Sequence, residues 1–278
     1  MSNICSVVGE TGSGKSTLIN KIIGRDEVVI GHELESMTKT ITAVTLTHQK
    51  KKIIFFDTPG FDDTYLPDAK VFQMIASFLR DLYERQVYVN GILYCHPIDN
   101  RRVTGSSRRQ LEFMERLIGQ KSLKNVIFVL TFADRMDYNR DLMDSRIGEL
   151  KRTYWAPFLA KDARMFIKDG DGPPRALVDM VLRSQKTILD LQRELVDERR
   201  TLLRTSAGGT IKTESENKIS YLEQELEALR KEIKDPATRK DPELVQEIRK
   251  LEDEVKSKLE IVKSELVSLD RQTDSSST

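Results

Sequence analysis

The apolar residues of this chain follow two rhythms that meet near residue 185. Before that point, short apolar runs alternate with longer stretches whose apolar residues recur every three or four positions. Residues 4–8, 41–48, 52–56, 91–95, 126–131 and 164–167 read as strands. The run 126–131 is apolar until its final Thr131, as expected of a central strand covered on both faces. Residues 16–23, 68–89, 110–118 and 142–154 read as helices. Val71, Ile75, Phe78, Leu79 and Leu82 mark the inner stripe of the second, and Leu111, Met114, Leu117 and Ile118 that of the third. Gln49-Lys50-Lys51 supplies a turn between the strands on either side, and Pro173-Pro174 opens a further helix near its first turn. Strands alternating with amphipathic helices predict a mostly parallel α/β sheet flanked by helices over residues 1–184.

From about Gln185 glycine nearly vanishes and Glu, Lys, Arg and Leu dominate. A helix is expected around 188–203, with Ala207-Gly208-Gly209 separating it from the next helical segment. Ile219, Leu222, Leu226, Leu229 and Ile233 then alternate spacings of three and four, which is a heptad seam. Leu244, Ile248, Leu251, Val255, Leu259, Val262, Leu266 and Leu269 form a second, with one four-residue stutter at Val255. Asp235-Pro236 and Asp241-Pro242 break the helix between them. The seams predict an α-helical, coiled-coil extension over 185–270, in which 215–234 and 242–270 either fold back as an antiparallel hairpin on the domain or pair with another chain. Residues 271–278, rich in serine, read as a disordered tail.

Composition narrows the possibilities. Forty-five basic and 44 acidic residues leave a net charge of +1, so no nucleic-acid partner is expected from charge. The two cysteines, Cys5 and Cys95, fall in apolar strand-like runs and read as buried thiols. That usage, an N-terminus that enters a core strand at once, and the lack of any run of membrane-spanning length predict a soluble, cytoplasmic protein with no transmembrane segment.

The chemistry is concentrated in four places. Gly9-Glu10-Thr11-Gly12-Ser13-Gly14-Lys15-Ser16, with Thr17 behind it, fits the phosphate-loop pattern between a strand and a helix. Glycines let the backbone turn its N–H groups towards phosphate oxygens, and the helix N-terminus adds its positive end. Lys15 is then expected on the β- and γ-phosphates and the Ser16 hydroxyl on Mg²⁺. Asp57-Thr58-Pro59-Gly60 ends a strand, which suits Asp57 to the metal shell and the Gly60 N–H to the γ-phosphate. The loop 61–65 behind it is a switch candidate. In Ser36-Met37-Thr38-Lys39-Thr40, Thr38 is favoured over Thr40 as a ligand of Mg²⁺ and a sensor of the γ-phosphate. Thr131-Phe132-Ala133-Asp134 has the spacing of the guanine-reading motif [NT]-K-x-D. Asp134 there would accept from guanine N1–H and the exocyclic amine, groups that adenine does not offer in that arrangement. Phe132 replaces the lysine, and either stacks on the base in place of the lysine stem or points into the core. A fifth base-contacting loop is expected at 161–164, ahead of a strand.

These elements in this order resemble the translation-factor-related class of P-loop GTPases. The spacing of the loop at 9–16, Ser36-Met37-Thr38, and Phe61-Asp62-Asp63 after Asp57-Thr58-Pro59-Gly60 are similar to its septin-like branch. Within that branch they resemble the AIG/GIMAP-type GTPases and the chloroplast outer-envelope import receptors. Gly91-Ile92-Leu93-Tyr94-Cys95-His96, running on through Asp99-Asn100-Arg101 to Gly105, and Leu123-Lys124-Asn125-Val126 resemble fungal members. The resemblance covers 3–184 and implies a G domain that binds GTP and GDP with Mg²⁺. Lys15, Thr38 and Gly60 would serve turnover. Phe61 stands where a water-orienting glutamine is usual, so hydrolysis is expected to be slow and helped by a second G domain in a homodimer. His96, Arg101, Arg102 and Arg109 are the candidates to act across such a dimer. A GTP-dependent assembly scaffold with negligible turnover is the alternative. A chromosome-maintenance type ATPase is disfavoured because Thr58-Pro59, not an acid, follows Asp57.

Overall fold

The computed structural model describes residues 2–24, 41–60, 67–99, 105–136, 139–168, 174–236 and 238–271. Thr38, the loop 61–65, Arg101, Arg102 and the tail 272–278 lie outside these. The chain forms two compact units, Met1–Arg199 and Arg200–Thr278.

The first unit is built on β1 (Asn3–Val8), β2 (Thr42–His48), β3 (Lys51–Asp57), β4 (Val89–Pro97), β5 (Val126–Thr131) and β6 (Arg164–Ile167). They lie in the order β2-β3-β1-β4-β5-β6, all neighbours parallel except the β2–β3 hairpin. Gln49 and Lys50 both take positive φ (48° and 62°), the conformation of a two-residue turn whose twist matches the paired strands. Helices α1 (Lys15–Ile23), α2 (Asp68–Glu84), α3 (Gly105–Ile118), α4 (Arg140–Glu149), α5 (Ala156–Leu159), α6 (Arg175–Arg183) and α7 (Asp190–Val196) complete the unit.

Alternation along the strands divides the core. Cys5, Val7, Phe55, Leu93, Ile127 and Val129 turn to one face, under Leu18, Ile19 and Ile22 of α1 and Leu177, Val178 and Val181 of α6. Aromatic residues fill the other face: Phe56 lies 4.4 Å from Phe78 of α2, and Phe128 stacks on Trp155 at 4.3 Å and 12°. β4 and β5 are buried along their whole length.

Several boundaries differ from the sequence pattern for identifiable reasons. The helix expected to reach 89 ends at Glu84, because Gln86 takes φ 59° and Val87 N–H turns back to the Leu82 carbonyl at 2.8 Å. β4 starts earlier than its apolar run because Asn90 is a structural polar residue: its Oδ1 accepts from Ile4 N–H at 3.0 Å. α3 begins at Gly105, its first two turns being polar. The expected helix 142–154 is α4 followed by one π-type turn, Leu150–Tyr154, where Trp155 N–H donates to the Leu150 carbonyl. α7 is shorter than the expected 188–203 and packs in the first unit, with Gln192 Nε2 donating to the Leu79 carbonyl at 2.9 Å.

In the second unit α8 (Ser206–Lys234) and α9 (Pro242–Arg271) fold against each other. Arg230 pairs with Glu252 at 3.0 Å and Lys263 with Glu223 at 2.7 Å, a register that fixes the helices as antiparallel. Leu222, Leu226, Val255 and Val262 form the seam, flanked by Ile219, Leu229 and Leu259. Within the chain the two helices thus pair with each other as an antiparallel hairpin. The seam on α9 is narrower than expected: Ile248, Val255, Val262 and Leu269 are buried every seventh residue, while Leu244 and Leu251 are exposed. Ala207-Gly208-Gly209 does not separate elements; it lies in the first turn of α8. Thr205 Oγ1 accepts from Gly208 N–H there at 3.0 Å, and a Cβ at 208 would run into the Leu202 carbonyl.

Trp155 is fully buried, so Trp155→Ala is expected to cost about 3–5 kcal/mol. Urea unfolding followed by circular dichroism checks this; an unchanged midpoint for the first transition would contradict it.

Candidate functional site

The carboxyl ends of the parallel strands are where an open α/β sheet gathers its ligands, and three of the expected elements, the phosphate loop, Asp57–Gly60 and Thr131–Asp134, meet there. The turn from β1 into α1 needs its glycines. Gly9, Gly12 and Gly14 take φ of 145°, 76° and 86°. A Cβ at Gly9 would lie 2.6 Å from the Cys95 carbonyl oxygen, so the loop rests on the end of β4. The Lys15 ammonium reaches back over the loop to the carbonyls of Gly9 at 3.0 Å and Glu10 at 2.9 Å, and is 8% exposed. The Glu10 carboxylate accepts from the Ser107 hydroxyl of α3. Thr131 Oγ1 at the end of β5 donates to the Ser13 carbonyl at 2.7 Å.

Asp57 ends β3 beside the start of α1. Its Oδ2 accepts from Ser16 Oγ at 2.5 Å, while Oδ1 is buried with no hydrogen-bond partner among the described residues. Burial pushes the carboxyl above the usual carboxylate range, opposed by the Ser16 hydroxyl and the Lys15 charge. A hydroxyl and a carboxylate touching, with one carboxylate oxygen left over, form an oxygen donor pair suited to a hard cation such as Mg²⁺. Gly60 abuts the phosphate loop so closely that a Cβ would overlap Thr11.

At the end of β5 the chain turns through Ala133–Met136. A cavity of about 160 Å³ opens there, lined by Gly14, Thr17, Leu18, Lys21, Thr131, Phe132, Asp134, Arg135 and Lys168. Phe132 points into neither the sheet nor the core: it is half-buried, with its ring tip against Gly14. Arg135 lies over that ring at 4.0 Å.

The fifth loop corrects the sequence reading. Residues 161–164 precede β6 and so fall at the wrong end of the sheet; Arg164 there donates to the Met180 carbonyl and Ser184 Oγ. The segment that reaches the cavity follows β6, and Lys168 is its lining residue, 7% exposed. Strand polarity alone would have pointed to it. Of the residues considered for action across a dimer, His96 is buried edge-on against Trp155, which removes it, while Arg109 is exposed on α3. Thus Gly9 to Thr17, Asp57, Gly60, Thr131 and Asp134 gather along one edge, with Thr38 outside the described residues.

A glycine loop entering a helix, an aspartate ending the strand beside it, and a Thr-x-x-Asp turn two strands further on give the first unit the fold of a G domain with a phosphate loop. Residues 4–132 match the 50S ribosome-binding GTPase family. Septin-9 of Mus musculus is 36% identical over 157 residues, which is 47% of this chain and 25% of that protein. GTPase Era of Clostridioides difficile (strain 630) is 28% identical over 144 residues, 51% of this chain and 44% of that protein. The chain thus spans about a quarter of the length of the septins it matches. The fold is similar to that of Toc33 from Arabidopsis thaliana in complex with Mg²⁺ and GMPPNP, with a TM-score of 0.52 and 19% identity over 68% of this chain and 88% of that one. Among the described residues no helix is long and apolar enough to cross a membrane.

A buried carboxylate with an unsatisfied oxygen costs stability until a cation covers it. Asp57→Asn keeps the shape and removes the charge. It is expected to raise the metal-free melting temperature by about 2–4 °C and to abolish strengthening of nucleotide binding by Mg²⁺. Calorimetric melts and nucleotide titrations with and without Mg²⁺ check both; an Asp57→Asn variant that still gains affinity from Mg²⁺ would overturn the metal role.

Proposed function

We propose that this chain is a guanine-nucleotide switch that binds GTP and GDP with Mg²⁺ and hydrolyses GTP slowly, helped by pairing of two G domains. The observation that carries the reading is the Ser16–Asp57 contact lying beside the buried Lys15, with Asp134 along the same edge of the sheet. Lys15 would neutralise the β- and γ-phosphates, Ser16, Asp57 and Thr38 would hold the metal, and the N–H of Gly60 would meet the γ-phosphate against Thr11. Bound Mg²⁺ would supply charge neutralisation between the phosphates. Asp134 would select guanine. Phe61 carries no group to orient water, so the missing help would come from a second chain, with Arg101, Arg102 and Arg109 as candidates. Among solved structures of this fold are the chloroplast translocon components atToc33 and psToc159, for which dimerization is described as important for the GTPase activity. We place the chain near the AIG/GIMAP-type branch and in the cytoplasm on the residues given above.

A second reading is a GTP-dependent scaffold with negligible turnover. Phe61 favours it, as does a second unit that is a helical hairpin rather than a further catalytic domain.

Titration with GTP, GDP and ATP in Mg²⁺ tests the binding. Lys15→Ala is expected to weaken GTP by at least about tenfold, and Asp134→Ala to erase the preference for GTP over ATP. Equal GTP and ATP affinity in the wild type would remove the guanine assignment.

Turnover per chain is expected to rise steeply with protein concentration. A constant rate would sink the pairing; GTP-dependent dimers without turnover would favour the scaffold.

A further inference from the structure

The phosphate loop carries an acid where a polyanion is to be held. Glu10 is its second residue, and a carboxylate facing phosphates would repel them. The structure gives that side chain another partner. The Glu10 carboxylate accepts from the hydroxyl of Ser107, a residue near the start of α3 that is 3% exposed. A helix start is the positive end of the helix dipole and favours acids, yet α3 has none in its first turn. Its first charged residues are instead Arg108 and Arg109, of the sign that this end disfavours. Arg109 folds back over the same end: a Cβ on Gly105 would lie 3.4 Å from its guanidinium. Glu10 therefore supplies from outside the charge that α3 lacks. Tyr94 of β4 holds the next turn of α3 by donating to Gln110 Oε1 at 3.3 Å, so what Glu10 adds is the placement of the first turn. Its carbonyl, meanwhile, accepts from the Lys15 ammonium at 2.9 Å. One residue thus touches both the lysine of the loop and the start of α3.

We infer that Glu10 is a positioning residue that ties the start of α3, and the arginine it carries, to the phosphate loop. Arg109 is among the candidates named above to act on the nucleotide of a second chain. A group that acts across an interface is most effective when it is placed before the partner arrives. A guanidinium on a long stem has many rotamers, and fixing the helix turn beneath it leaves less to be ordered on pairing. The Ser107 hydroxyl gives that turn a charge-assisted bond, and the Glu10 backbone joins it to the Lys15 clamp. The phosphate end of the site and the placement of α3 are then linked through a single residue. This inference rests on the pairing of G domains proposed above and adds to it a residue pair, Glu10 and Ser107, through which the loop sets the readiness of α3.

The test is GTP turnover of the full chain with Mg²⁺ across a range of protein concentrations, alongside GDP titration of the dilute chain. Ser107→Ala is expected to leave GDP affinity and the rate at low concentration within about twofold, and to lower the concentration-dependent rise by about tenfold. Ser107→Thr keeps the hydroxyl and is expected to restore the rise. Glu10→Ala breaks the same contact from a less buried position and is expected to lower the rise by a similar factor. Adding Ser107→Ala to it is expected to lower the rise no further, as two residues of one contact require and two independent structural losses would not. Trp155 emission reports the fold of each variant. A wild-type rise in both Ser107→Ala and Glu10→Ala overturns the positioning role alone, as does full additivity of the two substitutions. A wild-type rate per chain that is the same at every concentration overturns the pairing of G domains, and this inference with it.

Discussion

The phosphate loop of this protein is held by contacts that owe nothing to a ligand. Thr131 Oγ1 donates to the Ser13 carbonyl, Gly9 lies against the Cys95 carbonyl, and Lys15 clamps the carbonyls of Gly9 and Glu10. Each contact joins the loop to a different part of the sheet edge, or to itself. A backbone with little side-chain mass would otherwise sample many conformations. Because Thr131 also begins the Thr-x-x-Asp turn, one hydroxyl ties that turn to the phosphate loop.

That rigidity has a cost, concentrated in groups that folding alone does not satisfy. Asp57 Oδ1 and Ser13 Oγ are buried without partners among the described residues, and Phe132 takes a backbone conformation that its side chain disfavours. Trp155 Nε1 and Asn125 Oδ1 are further buried atoms without partners among the described residues, but around them Phe128, Trp155 and Phe158 pack ring on ring, and the α1 and α6 faces are aliphatic. Large, well-packed aromatic burial on one face of the sheet offsets polar strain along its edge. A cation at Asp57 would relieve it there.

What the sequence made legible depended on how local each signal was. The strand–glycine loop–helix unit and the strand ending at Asp57 are contiguous in sequence, and both stand where the pattern placed them. The heptad seam of α8 was legible for the same reason. Asn90 hid the start of β4 because its role is tertiary: it bonds across to β1. Lys168 was missed because its place depends on which end of β6 faces the site, a matter of sheet polarity rather than of composition. Gly208 misled in the opposite direction. Two glycines in a row imply a break, but Gly208 is a close-approach residue under the Leu202 carbonyl within a continuous helix.

The misreadings and the strained groups are spread through the first unit, but three of them lie where β3, β5 and β6 end: a carboxylate oxygen without a partner among the described residues, an aromatic residue in a lysine position at positive φ, and a buried lysine. Local rules and global fold agree through most of a natural sequence, and functional sites are one place where they part. In this domain one such edge runs from Asp57 through the phosphate loop to Phe132 and Lys168. Those residues come from four separate stretches of chain, and nothing about core packing requires them to meet. The nucleotide proposed above would account for their convergence, with its phosphates at the Lys15 end.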